Sequence, residues 1–424
     1  MSLLVTKFGG TSVATPERMC RAAQRLVDYQ RQGHQVLAVV SAMGSSTDDL
    51  LALAHEVNPA PPERELDLLL ATGEIVSMSI LAMAVESLGC RAQSFTGHQA
   101  GIVTTARHNR AQIAHIKTER LERALDEGNI VIVAGFQGFT KTGELTTLGR
   151  GGSDTSAVAL AAALHADLCE IYSDVDGVYT ADPRVVPRAQ KLESISYEEM
   201  LELSAAGSGA LQMRAVEFAR NFNVTLYCRS AFSDNPGTFV KEEAVEQALV
   251  SGIAYDNSEA KITIRGVPDT KGIAADVFSA IAKAHINVDM IVQNISEHGL
   301  TDISFTAPAG DLDRLRPVLD KQVARLGARE YLVDTKITKL SLVGAGLRTN
   351  PGIAAKMFKV LSQNDINIEM ISTSAIRISV VIDTKKSQTA QQALHTAFDL
   401  DAKQVFREAT LSKEERAAKA KKGR

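Results

Sequence analysis

The chain has 424 residues, of which 45% are hydrophobic and 23% charged, and its formal net charge is −4. This composition is typical of a soluble globular protein, and the length predicts two or three domains rather than one. A small negative net charge does not attract nucleic acid or an anionic membrane surface, so we expect neither as a partner.

Targeting and redox features of the sequence predict a cytoplasmic protein. The first residues, MSLLVTKFGG, lack the basic and apolar regions of a secretory signal. No run approaches the roughly 20 apolar residues of a membrane span, and the most apolar stretch, Ala157–Leu164, is predicted to be a buried helix. Cys20, Cys90, Cys169 and Cys228 are scattered without a CxxC pair, which predicts small core residues with reduced thiols and no structural zinc.

Short β-rich apolar runs alternate with helical patterns over the first half of the chain. One helix start is clear at Thr15, where a capping side chain precedes Pro16 at the first helical position, and this helix stops at Gly33. Such alternation predicts a mostly parallel sheet covered by helices on both faces. The predicted strands are Leu3–Phe8, Gln35–Val40, Ile130–Ala134, Leu168–Tyr172 and Val224–Cys228.

The first candidate site is the segment KFGGTS, which starts at Lys7 and joins the first strand to the first helix. Gly9 and Gly10 allow the backbone to approach a ligand, and backbone N–H groups with Thr11 and Ser12 can form an anion nest. Lys7 would place a cation beside bound phosphates. The two glycines alone are equally compatible with an ordinary tight turn, and the sequence contains neither common phosphate-loop motif.

A second glycine-rich segment, Thr146–Ser156, precedes a predicted helix at Ala157–His165. Its three glycines surround Arg150, whose planar guanidinium is suited to binding a carboxylate. Ser153 or Asp154 is predicted to cap the helix, a role that is compatible with ligand binding.

A third segment, Tyr172–Arg184, is a strand end followed by a dense turn that is rich in acidic residues. Acidic residues at a strand end can bind ribose hydroxyls or organise the turn, and their position alone leaves both roles open. The spacing from Asp174 lacks the glutamate of a calcium-binding EF-hand loop, so calcium is not expected.

The second half of the chain contains an internal repeat. Loop-forming residues from Phe232 to Thr238 and a charged stretch after them predict a domain boundary. Beyond it, Val267–Ile291 and Leu347–Ile371 align, each with the form strand, glycine turn, helix, asparagine turn and strand, and two such units can bury their sheets together. We expect a catalytic domain at 1–232, a linker at 233–260, repeat domains at 261–338 and 339–408, and a disordered basic tail at 409–424.

Five segments together resemble the aspartate kinases: KFGGTS, Ser41–Gly44, the Thr-Gly-Glu that ends at Glu74, TTLGRGGSDTS and YSDVDGVYTADPR. They occur in that family's order, and the repeats are similar to its paired ACT domains, so the resemblance covers nearly the whole chain. It implies an α/β amino acid kinase fold, with a mostly parallel sheet between helices, followed by two ferredoxin-like ACT domains. It also implies transfer of the γ-phosphoryl group of ATP to the β-carboxylate of L-aspartate, with Mg²⁺ held through the phosphates.

The resemblance further implies roles for individual residues. Lys7, Arg150 and Asp154 are the expected catalytic residues: Lys7 steadies the charge of the transferred phosphoryl group and Arg150 holds a carboxylate. Glu74 is expected to pair with the α-ammonium group of aspartate. The expected ATP-binding residues are Lys7, Gly9, Gly10, Ser41, Ser173, Asp174, Tyr179, Asp182 and Arg184. The expected aspartate-binding residues are Thr47, Glu74, Arg150, Ser153 and Asp154.

Paired ACT domains imply threonine, lysine or both as effectors, and assembly into a homodimer or larger homo-oligomer. Ala375 stands where relatives usually carry a glutamate that helps to hold lysine, which favours threonine. Gly209 stands where relatives carry a lysine that contacts the nucleotide. Asn287 and Asn367 are equally compatible with turn positions of positive φ. The expected effector-binding residues are Asp269, Gly272, Ala274, Asn287, Val288, Asp289, Gln293, Asn367 and Ile368.

Two other functions are compatible with the sequence. The first is another amino acid kinase, acting on glutamate, acetylglutamate or a nucleotide, although such relatives generally lack the double repeat. The second is a non-catalytic amino-acid sensor with a decayed kinase domain, which the glycine at position 209 favours.

Overall fold

The computed structural model describes residues 2–242, 249–294 and 299–402, which fall into two compact units. The described part of the first unit consists of residues 2–178, 191–204 and 209–242. The second unit contains Tyr179–Gln190, Ala205–Ser208 and the rest of the described chain. The predicted basic tail, 409–424, lies outside the described residues.

Strands and helices alternate over the first half of the chain, as predicted. The strands are β1 (Leu3–Phe8), β2 (Gln35–Val40), β3 (Ala92–Phe95), β4 (Ile102–Thr104), β5 (Ile113–Ile116), β6 (Ile130–Ala134), β7 (Gln137–Phe139), β8 (Leu145–Thr147), β9 (Leu168–Ser173), β10 (Ser194–Ser196), β11 (Leu226–Ser230) and β12 (Thr238–Lys241). The helices are α1 (Pro16–Arg31), α2 (Ser46–Val57), α3 (Glu63–Ser87), α4 (Glu119–Asp126), α5 (Gly152–Ala163), α6 (Tyr197–Ala205) and α7 (Met213–Phe222).

An eight-stranded sheet of order β10-β12-β11-β9-β1-β2-β6-β3 forms the centre of the first unit. All neighbouring strands in it are parallel except β11 and β12, which confirms the predicted mostly parallel sheet. β6 is buried along its whole length, as expected for a strand that is covered on both faces. The fifth predicted strand begins at Leu226 rather than at Val224.

Helix α1 follows its sequence signals closely. The Thr15 hydroxyl accepts a hydrogen bond from the Arg18 N–H (3.4 Å), Pro16 occupies the first turn, and Met19 and Leu26 are buried on the face toward the sheet. The helix ends just before Gly33, whose φ is +93°. The predicted start and stop are therefore confirmed.

Helix α3 is long enough to span a membrane, and an 18-residue window within it has a mean hydropathy of 2.0, a feature that was not predicted from the sequence. The buried central helix of a globular domain meets the same two criteria. Asp67 and Glu74 of α3 are buried and accept hydrogen bonds from within the first unit. One face of α3 therefore packs inside the first unit, whereas Val76 and Met83 on the helix are exposed.

The cysteines differ in burial. Cys169 and Cys228 are buried core residues, Cys90 is half-buried and Cys20 is exposed on α1, and all four are free thiols. The prediction that all four are core residues is therefore wrong for Cys20, because it lies on the outer face of an amphipathic helix.

The second half of the chain forms two similar α+β repeats, both within the second unit. Their strands are β13 (Gly252–Asp256), β14 (Glu259–Pro268), β15 (Ile291–Gln293), β16 (Leu300–Pro308), β17 (Glu330–Asp334), β18 (Ile337–Val343), β19 (Met370–Thr373) and β20 (Arg377–Asp383). Their helices are α8 (Ile273–Lys283), α9 (Leu312–Leu326), α10 (Gly352–Gln363) and α11 (Ser387–Ala397).

The two repeats form antiparallel sheets with the same arrangement of strands. They differ in which part of the chain supplies the fourth strand. The first has the order β15-β16-β14-β17 and the second the order β13-β18-β20-β19. β13 pairs with β18 as β17 pairs with β14, so a strand that precedes the first repeat completes the sheet of the second. Gly252–Asp256 lies in the segment expected to be a linker.

The turns after α8 and α10 correct one sequence interpretation. Positive φ occurs at His285 (+56°) and Asp365 (+55°), two residues before the asparagine that both repeats share. Asn287 and Asn367 themselves are not positive-φ positions, so their interpretation as left-handed turn residues is wrong.

Candidate active site

The site is built around the carboxyl end of β1. Side chains alternate along a strand, so Phe8 and Lys7 point to opposite faces of the sheet. Phe8 is buried and stacks on Tyr172 of β9, with ring centroids 4.8 Å apart. Lys7 points toward α5, where its Nζ lies 2.5 Å from Oδ1 of Asp154. The structure thus joins two of the predicted catalytic residues in one ion pair.

The start of α5 explains why Asp154 is available for that pair. The helix begins at Gly152, and Gly151, with φ +70°, is its N-cap. A Cβ atom at Gly151 would lie 2.1 Å from the side chain of Gln212, so this position requires glycine. Ser153 and Asp154 lie within the first turn, and neither side chain caps the helix, so the predicted capping role is wrong.

A loop after β2 lies against the end of β1. The Ser41 N–H donates to the Phe8 carbonyl (3.1 Å), and the Gly44 N–H donates to the Gly10 carbonyl (3.0 Å). A Cβ atom at Gly10 would lie 2.8 Å from the carbonyl oxygen of Ala42, so this close approach depends on glycine. The loop leads into α2, whose first turn carries the half-buried Thr47.

Glu74 lies beneath this loop and has one unsatisfied carboxylate oxygen. Its Oε1 accepts a hydrogen bond from the Ala42 N–H (3.0 Å), whereas Oε2 is buried without a hydrogen-bond partner among the described residues. Burial raises the pKa of Glu74 to about 7, although the Ala42 hydrogen bond acts to lower it. This acid is suited to pairing with an ammonium group.

The backbone N–H of Gly9 is not available for the predicted anion nest. Its N–H donates to the carbonyl of Tyr172 (3.2 Å) and extends the sheet instead of pointing at a ligand. Ser12 remains a candidate ligand contact, because its hydroxyl is buried without a partner among the described residues.

Arg150 lies exposed on the loop before α5, and a buried acid that the sequence analysis missed holds this loop. Asp67 of α3 accepts hydrogen bonds from the Thr147 hydroxyl (2.5 Å), the Asn109 N–H (3.0 Å) and His108 Nδ1 (2.7 Å). Its carboxylate therefore ties the 105–111 loop to the strand that leads into the Arg150 loop. The available signal was an aspartate in the otherwise apolar run LDLLL of α3.

Arg214 of α7 holds the same loops from another side. It donates to the carbonyl of Leu148 (3.0 Å) and to that of Ala111 (2.9 Å), and burial lowers the pKa of this guanidinium. Among the described residues, no atom lies within 4 Å of the position that a Cβ would take at Gly209, which precedes α7. Nothing steric in this structure requires glycine at position 209.

The predicted nucleotide segment is divided between the two units. Ser173 and Asp174 stand at the carboxyl end of β9, next to β1, and Asp174 is exposed. Tyr179, Asp182 and Arg184 belong to the second unit. Arg184 donates to the Asp182 carboxylate (2.8 Å), and these hydrogen bonds lower the pKa of Asp182.

Residues 2–242, 249–294 and 299–402 contain no group of three or more His, Cys, Asp or Glu side chains placed to hold a metal ion.

The predicted effector residues surround α8 and the turns after α8 and α10. Gly272 is the N-cap of α8, with φ +94°. Asp289 already has a partner, because Lys339 Nζ lies 2.7 Å from its Oδ2 and 2.7 Å from Oε1 of Glu259. Asp269, Asn287, Gln293 and Asn367 are exposed, Ala274 is half-buried, and Val288 and Ile368 pack against the cores of their repeats.

Comparisons with known proteins agree with this architecture. Residues 2–230 match the amino acid kinase family, and residues 262–327 and 340–398 each match the ACT domain. The aspartokinase of Corynebacterium glutamicum is 53% identical over 407 residues, which cover 94% of this chain and 97% of that protein. The predicted fold class, an amino acid kinase fold followed by two ACT domains, is confirmed.

Two solved structures of E. coli aspartokinase III are similar over most of their length. Its R-state complex with aspartate and ADP has a TM-score of 0.80 at 25% identity and covers 94% of this chain and 99% of that chain. Its T-state complex with lysine and aspartate has a TM-score of 0.72 at 25% identity, with coverages of 93% and 99%.

Proposed function

Because this chain belongs to the aspartokinases, which are phosphotransferases, we propose that it transfers the γ-phosphoryl group of ATP to the β-carboxylate of L-aspartate. The products are 4-phospho-L-aspartate and ADP. The observation that most supports this proposal is the pairing of Lys7 with Asp154 in the unit that also holds the half-satisfied acid Glu74. The Lys7 ammonium group would bind phosphate, and the buried Glu74 carboxylate would bind the α-ammonium group of the substrate.

The reaction needs little proton chemistry. A carboxylate oxygen of aspartate forms a bond to the γ-phosphorus, and the bond from that phosphorus to the ADP oxygen breaks. The acceptor is already ionised at neutral pH, so no general base is required. The protein has to align two anions and offset their repulsion. Asp154 fixes Lys7 for this task, and Arg150 holds a carboxylate of aspartate.

The proposed substrate sites use backbone as well as side-chain groups, since Gly9 and Gly10 allow the backbone to approach the phosphates. Thr47, Glu74, Arg150, Ser153 and Asp154 bind aspartate in this proposal. Lys7, Gly9, Gly10, Ser41, Ser173, Asp174, Tyr179, Asp182 and Arg184 bind ATP. Mg²⁺ would bind phosphate oxygens and water, because the described residues offer no cluster of metal ligands, and it would neutralise phosphate charge there.

We assign the second unit a regulatory role in the same proposal. The enzyme would catalyse the first step of lysine, threonine and methionine biosynthesis in the cytoplasm, with feedback inhibition by threonine, lysine or both. Ala375 favours threonine, whereas the lysine complex of E. coli aspartokinase III supports lysine. The effector would bind at the residues around α8, Asn367 and Ile368, and ACT domains would pair the subunits into a homo-oligomer. The proposed domain limits are those expected from the sequence, except that β13, within the expected linker, belongs to the sheet of the second repeat.

A hydroxamate assay with ATP, Mg²⁺ and hydroxylamine tests the proposal. The protein is expected to turn over L-aspartate and not L-glutamate. Lys7→Met is expected to lower kcat by about two to three orders of magnitude, as loss of a charge-stabilising group does. Lys141→Met removes an exposed lysine and serves as the matched control. Turnover of glutamate alone would indicate another amino acid kinase, and no ATP-dependent turnover in the parent protein would indicate the sensor.

A further inference from the structure

The segment Tyr179–Gln190 leaves the first unit and returns to it. Next to the two ends of the segment, the Leu192 N–H donates to the Val178 carbonyl (2.9 Å), and both of these residues belong to the first unit. Inside the segment, the Thr180 N–H donates to the Gln190 carbonyl (2.9 Å), and all of Tyr179–Gln190 belongs to the second unit. The residues on it with a proposed role in ATP binding are Tyr179, Asp182 and Arg184.

A buried chain of polar groups joins this segment to the last described helix, α11. The Thr180 hydroxyl lies 2.8 Å from Nε2 of His395, and His395 Nδ1 lies 2.6 Å from Oδ1 of Asp401. Thr180 and His395 are both fully buried. A buried imidazole with partners on both nitrogens is fixed in place and in orientation.

The Thr180 hydroxyl makes two hydrogen bonds. The Gln190 N–H donates to its oxygen (2.9 Å), and His395 Nε2 shares a hydrogen bond with the same hydroxyl. A continuous chain of hydrogen bonds therefore runs from Gln190 through Thr180 and His395 to Asp401.

Three further contacts hold the segment within the second unit. The Ile253 N–H of β13 donates to the Thr180 carbonyl (2.7 Å), and Gln392 of α11 donates to the carbonyl of Val185 (2.9 Å). The Tyr255 hydroxyl donates to Asp182 (3.4 Å). β13 and α11 both belong to the second repeat, so that repeat sets the conformation of the segment.

We propose that His395 is a positioning residue for the nucleotide, because it fixes the Tyr179–Gln190 segment to the second ACT repeat through Thr180. This inference rests on the proposed function, which assigns the segment to ATP. The second repeat thereby fixes the conformation of three residues that are proposed to bind ATP. The residues that bind aspartate in the proposal all belong to the first unit, so this positioning acts on the nucleotide and not on aspartate.

The test uses the full-length protein with Thr180→Val, which keeps the side-chain shape and removes the hydroxyl. ADP affinity measured by titration calorimetry is expected to fall about fivefold, because part of the free energy of the two buried hydrogen bonds that this hydroxyl makes is lost from nucleotide binding. The KM for ATP is expected to rise by the same factor, while the KM for aspartate stays constant. Hydrogen exchange of Tyr179–Gln190 is expected to become faster.

Two variants serve as controls. Thr180→Ser restores the hydroxyl and is expected to return ADP affinity to the parent value. Thr396→Val removes a hydroxyl that donates to the other oxygen of the same Asp401 carboxylate (2.9 Å) and is expected to leave ADP affinity unchanged. Should Thr180→Val not unfold cooperatively, Gln392→Ala takes its place, with an expected loss of about twofold because this tie is exposed.

Each outcome decides the inference. ADP affinity in Thr180→Val equal to that of Thr396→Val overturns it, and so does an equal rise in the KM values for ATP and aspartate. ADP binding does not depend on aspartate turnover. A parent protein that lacks aspartate kinase activity but loses ADP affinity in Thr180→Val would therefore refute the proposed function and leave the positioning role supported.

Discussion

At the scale of single residues, Glu74 combines burial with an incomplete set of hydrogen bonds. One carboxylate oxygen is bonded to the Ala42 N–H and the other is buried without a partner among the described residues. Leaving a buried polar atom unsatisfied costs about 1–3 kcal/mol, so such an atom usually has a role. The α-ammonium group of aspartate would satisfy it.

The raised pKa of Glu74 predicts a pH-dependent affinity for aspartate. The acid is protonated below its pKa of about 7 and cannot then pair with an ammonium group. We expect kcat/KM for aspartate to fall by up to about tenfold per pH unit below that value and to level off above it. Rates measured from about pH 5.5 to pH 8.5 test this expectation.

The KM for ATP, measured over the same pH range, is the control for titration of the nucleotide. In Glu74→Gln the kcat/KM for aspartate is expected to be low at every pH and to lose the transition near 7. A parent profile that stays flat through neutral pH would contradict the ammonium-pairing role.

At the scale of elements, α3 holds a loop that is remote in sequence. Asp67 and Thr147 are separated by 80 residues, yet their side chains meet at 2.5 Å. The acid also receives His108 and Asn109 from the 105–111 loop, so α3 sets the position of the strand end that leads to Arg150. A helix that spans the unit is a rigid base for such a loop.

Asp67→Asn is expected to weaken aspartate binding without affecting ATP. The amide keeps the size of the side chain but retains only one acceptor oxygen for three donors. A loss of one or two hydrogen bonds predicts a KM for aspartate about tenfold higher, with the KM for ATP unchanged. Steady-state kinetics against both substrates measures the split.

Asp126→Asn, on the exposed end of α4, is the matched control for this substitution and is expected to match the parent protein. A lower melting temperature with both KM values unchanged would show that Asp67 serves stability alone.

At the scale of the whole molecule, the second unit is one body made of two repeats, and a buried lysine joins them. Lys339 of β18 is 1% exposed and pairs with Glu259 of β14 and with Asp289. Burial acts to lower its pKa, but the two carboxylates outweigh burial and the pKa is raised. The folded state therefore favours the charged form of Lys339.

Lys339→Met is expected to destabilise the second unit by about 3–5 kcal/mol, because it leaves the buried Glu259 without a counter-charge. Lys261→Met, which breaks the more exposed Lys261–Glu369 pair between the same repeats, is expected to cost less than about 1 kcal/mol. Urea unfolding followed by a probe in the second unit measures both.

The double variant Lys339→Met with Glu259→Leu is expected to recover part of the lost stability, because it removes the stranded charge. Equal losses in Lys339→Met and Lys261→Met would contradict the role assigned to the buried lysine.

The sequence alone determined the features that depend on short-range order. Strand and helix periodicity located most strands of the main sheet, capping chemistry located α1, and the motifs with the repeat identified the family. These signals are local, since backbone preferences and side-chain alternation act over a few residues. They also led to the prediction of Lys7, Glu74 and Asp154 as site residues, because each lies in a motif.

Only the tertiary structure decided which distant residues meet. Thr180 and His395 are 215 residues apart, and β13 completes a sheet whose other strands begin at Ile337. The buried partners of Asp67 and Lys339 likewise come from remote strands and loops. Such contacts arise when packed elements bury their polar groups together, and no pattern within one segment records which partner it will meet.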